Sequence, residues 1–121
     1  MRRSPLRSLV RKQDFESVFR DGVSVATPLL VLYARTNGLG NDRLGLSVSK
    51  KIGTAVTRNR IKRLLREAMR TLTVARTLNY DFILIARKPA PGGTLDDFIH
   101  DIGKCLREII IKTDALHRGP A

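Results

Sequence analysis

The sequence predicts an α+β fold, a two-layer α/β sandwich in which helices cover a small sheet in the order α-β-β-β-α-β-α. Three observations lead there. Segments with helical apolar spacing are interleaved with short runs that are alternating or continuously apolar. Turn signals rich in Gly, Pro and Asn separate the runs. A chain of 121 residues, 42% apolar and 28% charged, suits a single domain over residues 1–121 and not a disordered polymer.

The first helix is expected over Lys12–Asp21, where Phe15, Val18 and Phe19 fall on one face at i, i+3 and i+4. Gly22 follows as a C′ residue able to take positive φ. A short strand over Val23–Ala26 is broken by Pro28. Leu29–Arg35 then reads as a strand, with Leu29, Val31 and Tyr33 on one side and Leu30, Leu32 and Ala34 on the other. The run Asn37-Gly38-Leu39-Gly40-Asn41-Asp42 predicts a hairpin-like loop.

From Arg43 to Lys51, Leu44, Leu46 and Val48 alternate with Gly45, Ser47 and Ser49, the pattern of a half-buried strand. Its small outer face leaves room for another backbone. Thr54 is the expected N-cap of a long helix over 55–72. Phe82–Ala86 is apolar on both faces, as a buried central strand would be. After a loop over 87–93, Thr94 caps a last helix, with Asp96 and Asp97 at its positive end. Leu95, Phe98, Ile99, Ile102, Leu106, Ile109 and Ile110 form that helix's apolar stripe, and Cys105 sits at its edge as a small core residue. A flexible tail is expected from about residue 114.

Composition narrows the function. A single cysteine excludes an internal disulfide framework and a zinc finger, and fits a reducing cytoplasm. The longest apolar stretch, Leu29–Ala34, falls far short of the ~20 residues a membrane helix needs. The basic start is followed by no apolar run of the kind an export signal requires. A cytoplasmic protein without membrane association is the expectation.

The charge is +12, with 23 Lys and Arg against 11 Asp and Glu, and it is concentrated. Residues 43–76 hold ten basic residues and one acid, Glu67, whereas 77–121 are balanced. On the helix over 55–72, Ile61, Leu64, Leu65, Ala68 and Leu72 cluster within about 100° at 3.6 residues per turn. Opposite them lie Arg58, Asn59, Lys62, Arg63, Arg66 and Arg70, with Arg60 and Glu67 at the flank. Solvated helix faces usually mix signs to gain i,i+4 pairs. A one-signed, Arg-rich face repels itself until phosphates relieve it, and the guanidinium fork suits bidentate phosphate contact. Lys50 and Lys51, just before the helix, extend the same surface.

A nuclease in its own right would need a general base, a nucleophile or a carboxylate metal cluster. The basic region offers Glu67 alone, and His100 and His117 have no partner near in sequence. A helix-turn-helix is disfavoured because strands, not a second helix, flank the basic helix. A ribosomal-protein-like or RNA-chaperone module fits composition equally well.

Arg43-Leu44-Gly45-Leu46-Ser47-Val48-Ser49-Lys50-Lys51-Ile52-Gly53, then Ala55-Val56 and Arg58-Asn59-Arg60-Ile61-Lys62-Arg63, resembles the protein subunit of bacterial ribonuclease P. Asp14-Phe15, Phe19 and Gly22 upstream and Asp81–Pro89 downstream extend the resemblance over roughly residues 9–110. Leu46 and Thr57 depart from it, standing where a Phe and a basic residue are frequent. The resemblance implies a protein that assists a catalytic RNA in removing the 5′ leader from precursor tRNA. The resemblance implies that the RNA and its bound magnesium ions carry the hydrolysis and that the protein lowers the magnesium requirement. No protein-bound metal or cofactor and no small-molecule substrate are expected. Arg58, Asn59, Arg60, Lys62, Arg63 and Arg66, with Lys50 and Lys51, would face the catalytic RNA. Phe15, Phe19 and Tyr33, with the small polar Ser47 and Ser49, would line a cleft for the single-stranded leader. From the residues alone, the Phe15/Phe19 pair reads more naturally as core. The resemblance further implies a left-handed βαβ crossover, against the right-handed form of ~98% of such units.

Overall fold

The computed structural model describes residues 6–74 and 78–118, with side chains through Asp114. In chain order the elements are β1 (Arg7–Ser8), α1 (Lys12–Asp21), β2 (Val23–Ala26), β3 (Leu30–Thr36), β4 (Arg43–Ser47), α2 (Ala55–Thr73), β5 (Tyr80–Ala86) and α3 (Leu95–Arg118). Short 3₁₀ turns at Lys50–Ile52 and Ala90–Gly92 precede α2 and α3. The five strands form one sheet in the order β1-β4-β5-β3-β2. The α-β-β-β-α-β-α core matches the expected order, and β1 is an addition to it. Two residues are too few to show a period, so β1 left no signature in the sequence.

β5 is the centre. It pairs in parallel with β4 and antiparallel with β3. Phe82 and Leu84 face α2 and α3, while Ile83 faces α1. Burial on both sides explains its unbroken apolar run. The loop Asn37–Asp42 is therefore not a hairpin turn, because β3 and β4 do not pair and β5 lies between them. Turn chemistry reports a local reversal and says nothing about which strand fills the gap. Gly38 and Gly40 take φ of 66° and 80° there, and the side chain of Asn37 accepts from Leu39 N–H at 2.8 Å.

The expected sandwich is the sheet with α2 and α3 on one face, and α1 lies across the other. Leu30, Leu32, Leu44, Phe82 and Leu84 pack against Ile61, Leu65, Met69, Phe98, Ile102 and Ile109. Val18, Leu9 and Ile83 form a smaller cluster on the α1 side.

Chirality follows from the hydrogen bonds. Seen with its side chain toward the viewer and the chain running upward, an L-residue in a strand points its own N–H and C=O to the right. Leu9 faces α1 and donates to Leu44 C=O at 2.9 Å, so β4 lies to the right of β1 in the view from α1. β5 then lies to the right of β4, with α2 behind the sheet. A connection that moves right while passing behind is left-handed. Tyr33, flanked by the bonds Asn37 N–H to Asn79 C=O and Arg87 N–H to Leu29 C=O, gives the same answer from the other side.

Local boundaries differ in instructive ways. β4 ends at Ser47, where its pairing with β5 at Ile85 runs out, and the chain coils into the 3₁₀ turn. Gly22 does end α1, its N–H bonding Val18 C=O at 2.8 Å, but with φ −84° and ψ 173°. Glycine is needed there for approach: a Cβ would stand 2.5 Å from Val18 O and 2.7 Å from Ala34 O. Helix α3 continues through Arg118. Lys112 Nζ donates to Ser24 C=O at 3.0 Å and ties α3 to β2. Cys105 is fully buried, and burial pushes its thiol up to about 11, as suits a core residue.

Two buried aspartates organise the end of the sheet where the loop enters. Asp42 accepts from the N–H groups of Leu78 at 3.1 Å and Tyr80 at 2.8 Å, setting the start of β5. Asp81 takes both arms of Arg43, Nε at 2.7 Å and Nη2 at 2.6 Å, and a third bond from Asn37 Nδ2 at 2.9 Å. Arg43 also reaches Asp14 on α1 at 3.5 Å. Asp81→Asn leaves a guanidinium facing a neutral amide in a partly buried place, with an expected loss of about 3 kcal/mol. Urea unfolding measures that loss, and Arg43→Met in the same background is expected to recover part of it.

Candidate nucleic-acid interface

Helix α2 begins at Thr54, whose Oγ1 accepts from Thr57 N–H at 3.2 Å. Ile61, Leu65, Ala68 and Met69 are buried against the sheet and α3, so the helix cannot roll. Met69 joins this face although the apolar sector read from the sequence omitted it. Anchoring one side fixes what the other presents. Asn59, Arg63, Arg66 and Arg70 are exposed, Arg58, Arg60 and Lys62 half-buried, and Lys50 and Lys51 stand exposed on the turn before the helix.

The basic side chains are not equivalent. Arg58 Nε donates to Gly53 C=O at 3.2 Å, which aims the guanidinium and leaves its two terminal nitrogens for other acceptors. Arg60 Nη2 donates to Pro91 C=O at 2.6 Å, so this residue braces the turn before α3 as well as lying on the flank. Among the described residues, none of Lys50, Lys51, Arg58, Arg60, Lys62, Arg63, Arg66 and Arg70 lies within ion-pair distance of a carboxylate. Arg11, Arg20, Arg35 and Arg43 all do. The carboxylates paired with arginines, Asp14, Asp21 and Asp81, belong to α1 and β5, and the basic face of α2 is left uncompensated.

On the opposite face of the sheet, Phe15, Phe19 and Tyr33 form a ladder. The Phe15 and Phe19 centroids are 6.4 Å apart, and Phe19 meets Tyr33 edge-on at 4.9 Å and 88°. Val18, on the same helix face, is fully buried, whereas Phe19 is 43% exposed. One residue therefore anchors α1 and its neighbours stay available. Ser47 is exposed on the same side of β4 as Gly45. Ser49 lies beyond the end of the strand, where it lines a depression of about 500 Å³ with Lys51, Ile52 and Lys88. Lys88 was not among the candidates; its signal was the Arg87-Lys88 pair directly after a fully apolar strand.

The close approach expected at Gly45 is made by an aromatic ring, not by a backbone. A Cβ at Gly45 would collide with Cζ of Phe15, with both Cε atoms at 3.0 Å. The ring sits in the notch that the missing side chain leaves. A second depression, of about 270 Å³, is lined by Phe15 and Gly45 and also by Lys62 and Arg66.

Other titratable groups are accounted for structurally. Thr94 and Asp97 cap α3 reciprocally, Thr94 N–H to Asp97 at 2.9 Å and Asp97 N–H to Thr94 Oγ1 at 3.1 Å. The backbone bond from Thr94 holds the Asp97 carboxyl below its ordinary range. Among the described residues no three His, Cys, Asp or Glu side chains converge as metal ligands would.

Gly45→Ala is expected to push Phe15 out of its notch at a cost of about 1–3 kcal/mol. Pairing it with Phe15→Leu should restore most of that loss in thermal melts, a non-additivity that two independent sites would not show.

Residues 4–110 match the family model described as Ribonuclease P. The "Ribonuclease P protein component" of Natranaerobius thermophilus is 44% identical over 107 residues, covering 88% of this chain and 87% of that protein. The solved RNase P protein of Staphylococcus aureus superposes with a TM-score of 0.76 at 36% identity, over 85% of this chain and 94% of that one. The RNase P protein of Thermotoga maritima superposes with a TM-score of 0.67 at 27% identity, over 88% and 94%. An uncompensated arginine helix on one side of a five-stranded sheet and a partly exposed aromatic ladder on the other thus belong to a chain of the ribonuclease P protein family.

Proposed function

We propose that this protein is the RNA-binding subunit of a ribonuclease P ribonucleoprotein that cuts the 5′ leader from precursor tRNA in the cytoplasm. The observation that carries this reading is the separation of two unlike surfaces by one sheet. The α2 face offers phosphate-seeking cations with no internal partners, which suits a folded, catalytic RNA. The α1 face offers three aromatic side chains beside Ser47, which suits a single strand of variable sequence because every base has a π-face. In this reading the RNA holds the magnesium ions and does the hydrolysis. The protein lowers the magnesium requirement by placing positive charge beside the RNA and by holding the leader. No helix among the described residues is long and apolar enough to cross a membrane.

Reconstitution with ribonuclease P RNA tests both halves. Arg58→Ala together with Arg63→Ala should lower the salt slope of RNA binding by roughly 1.4, at ~0.7 per single-strand phosphate contact. An unchanged slope would mean that these side chains do not meet phosphate. Phe19→Ala should cost the holoenzyme ~1–3 kcal/mol in binding precursor tRNA and nothing in binding mature tRNA. Equal binding of precursor and mature tRNA by the unmodified holoenzyme would instead identify a general RNA-binding module without leader preference.

A further inference from the structure

The edge of β4 carries a feature that neither the basic face nor the aromatic cleft explains. β1 pairs with β4 only at Arg43 and Leu44, and its last bond is Leu9 N–H to Leu44 C=O. Beyond that point the edge is open. By strand alternation the N–H of Leu46 points to the same edge as that of Leu44, and among the described residues no backbone acceptor meets it. The depression of about 270 Å³ lies here, with Ser8, Leu46, Lys62 and Arg66 in its walls. A smaller side pocket shares Ser8 and Arg66 with it and adds Arg7. Among the described residues, Arg7, Lys62 and Arg66 have no carboxylate within ion-pair distance.

Two cations, a hydroxyl and the residue of a free amide thus line one concavity at the junction of the sheet's two faces, and a third cation, Arg7, lines the side pocket that adjoins it. An aliphatic ligand would leave these groups unsatisfied, and a carboxylate would satisfy one or two of them. A tetrahedral, multiply accepting anion on a chain matches the set, since guanidinium, ammonium, hydroxyl and amide are all phosphate donors. We infer that the groove between β1 and the middle of α2 binds a phosphodiester of an RNA strand passing the open edge of β4, with Arg7 and Ser8 as RNA-binding residues. This rests on the ribonuclease P reading and adds the N-terminal segment to its binding surface. The phosphodiester belongs either to the catalytic RNA or to the leader as it leaves the aromatic cleft, and the chemistry of recognition is the same.

The experiment uses the reconstituted holoenzyme with an Arg7→Gln, Ser8→Ala double variant, both positions being exposed. If the phosphate is the catalytic RNA's, affinity of the protein for that RNA falls roughly tenfold, as expected for charge-assisted bonds lost, with precursor preference intact. If it is the leader's, assembly is unchanged and precursor affinity falls by a similar factor while mature tRNA is unaffected. Phosphorothioate interference with the unmodified protein gives a second, variant-independent readout: at least one interfering position should lose its effect in the double variant. Unchanged assembly, unchanged precursor binding and an unchanged interference pattern would overturn the inference. Arg58→Ala serves as the control. If it too changes nothing, the reading of the basic helix has failed; if it weakens assembly while the double variant does not, only the groove has.

Discussion

The guanidinium of Arg43 ties together elements that otherwise meet only through packing. Arg43 and Asp81 are register partners on β4 and β5, and their bidentate bond locks the parallel pair at its first rung. The same carboxylate takes Asn37 from the loop, and the same guanidinium reaches Asp14 of α1. Sheet centre, loop and helix therefore share one ionic node. Its hydrogen bonds with Asp81 raise the Arg43 pKa further, so the guanidinium stays charged wherever the fold persists. Asp14 directly precedes Phe15, so the clamp also sets where that ring comes down on Gly45. A buried ion pair adds little net stability, but breaking half of it is expensive, and this asymmetry specifies position.

Charge is sorted by role. Arg43, which joins sheet, loop and helix, has aspartate partners, whereas among the described residues the α2 cations have a backbone carbonyl or no ion-pair partner. Self-repulsion on α2 is tolerable because a buried apolar side anchors the helix at four fully buried residues. Arg60 shows that the sorting is not absolute, since its bond to Pro91 makes it a brace between α2 and the start of α3.

Much of this was legible in the sequence, for identifiable reasons. Lys12–Asp21 and Val23–Ala26 coincide with their expected bounds, because a 3.6-residue apolar face and a glycine stop are local signals. Thr54 and Thr94 cap as their residue type predicts. The continuous apolar run at Phe82–Ala86 announced a central strand. What stayed hidden was relational. The loop at Asn37–Asp42 could not reveal that a strand some forty positions later occupies the space it spans. Gly22 and Gly45 signalled special geometry, yet their causes, crowding by Ala34 and the ring of Phe15, are contacts distant in sequence. At the interface, residue type identified the α2 cations. Periodicity could not find the groove at β1, which exists only where two chain-distant segments meet.

The central position of β5 also governs the order in which the molecule can be made. During synthesis β3 and β4 emerge early, but they flank a vacant lane until Tyr80–Ala86 leaves the ribosome. No native ladder can join the two halves of the sheet before then, because each pairs with β5 and neither pairs with the other. The nascent chain must hold two unpaired strand edges and a highly cationic helix through that interval, beside a machine built of RNA. Closure of the sheet is thus a late, single event, and the last strand of the chain acts as the keystone of its assembly.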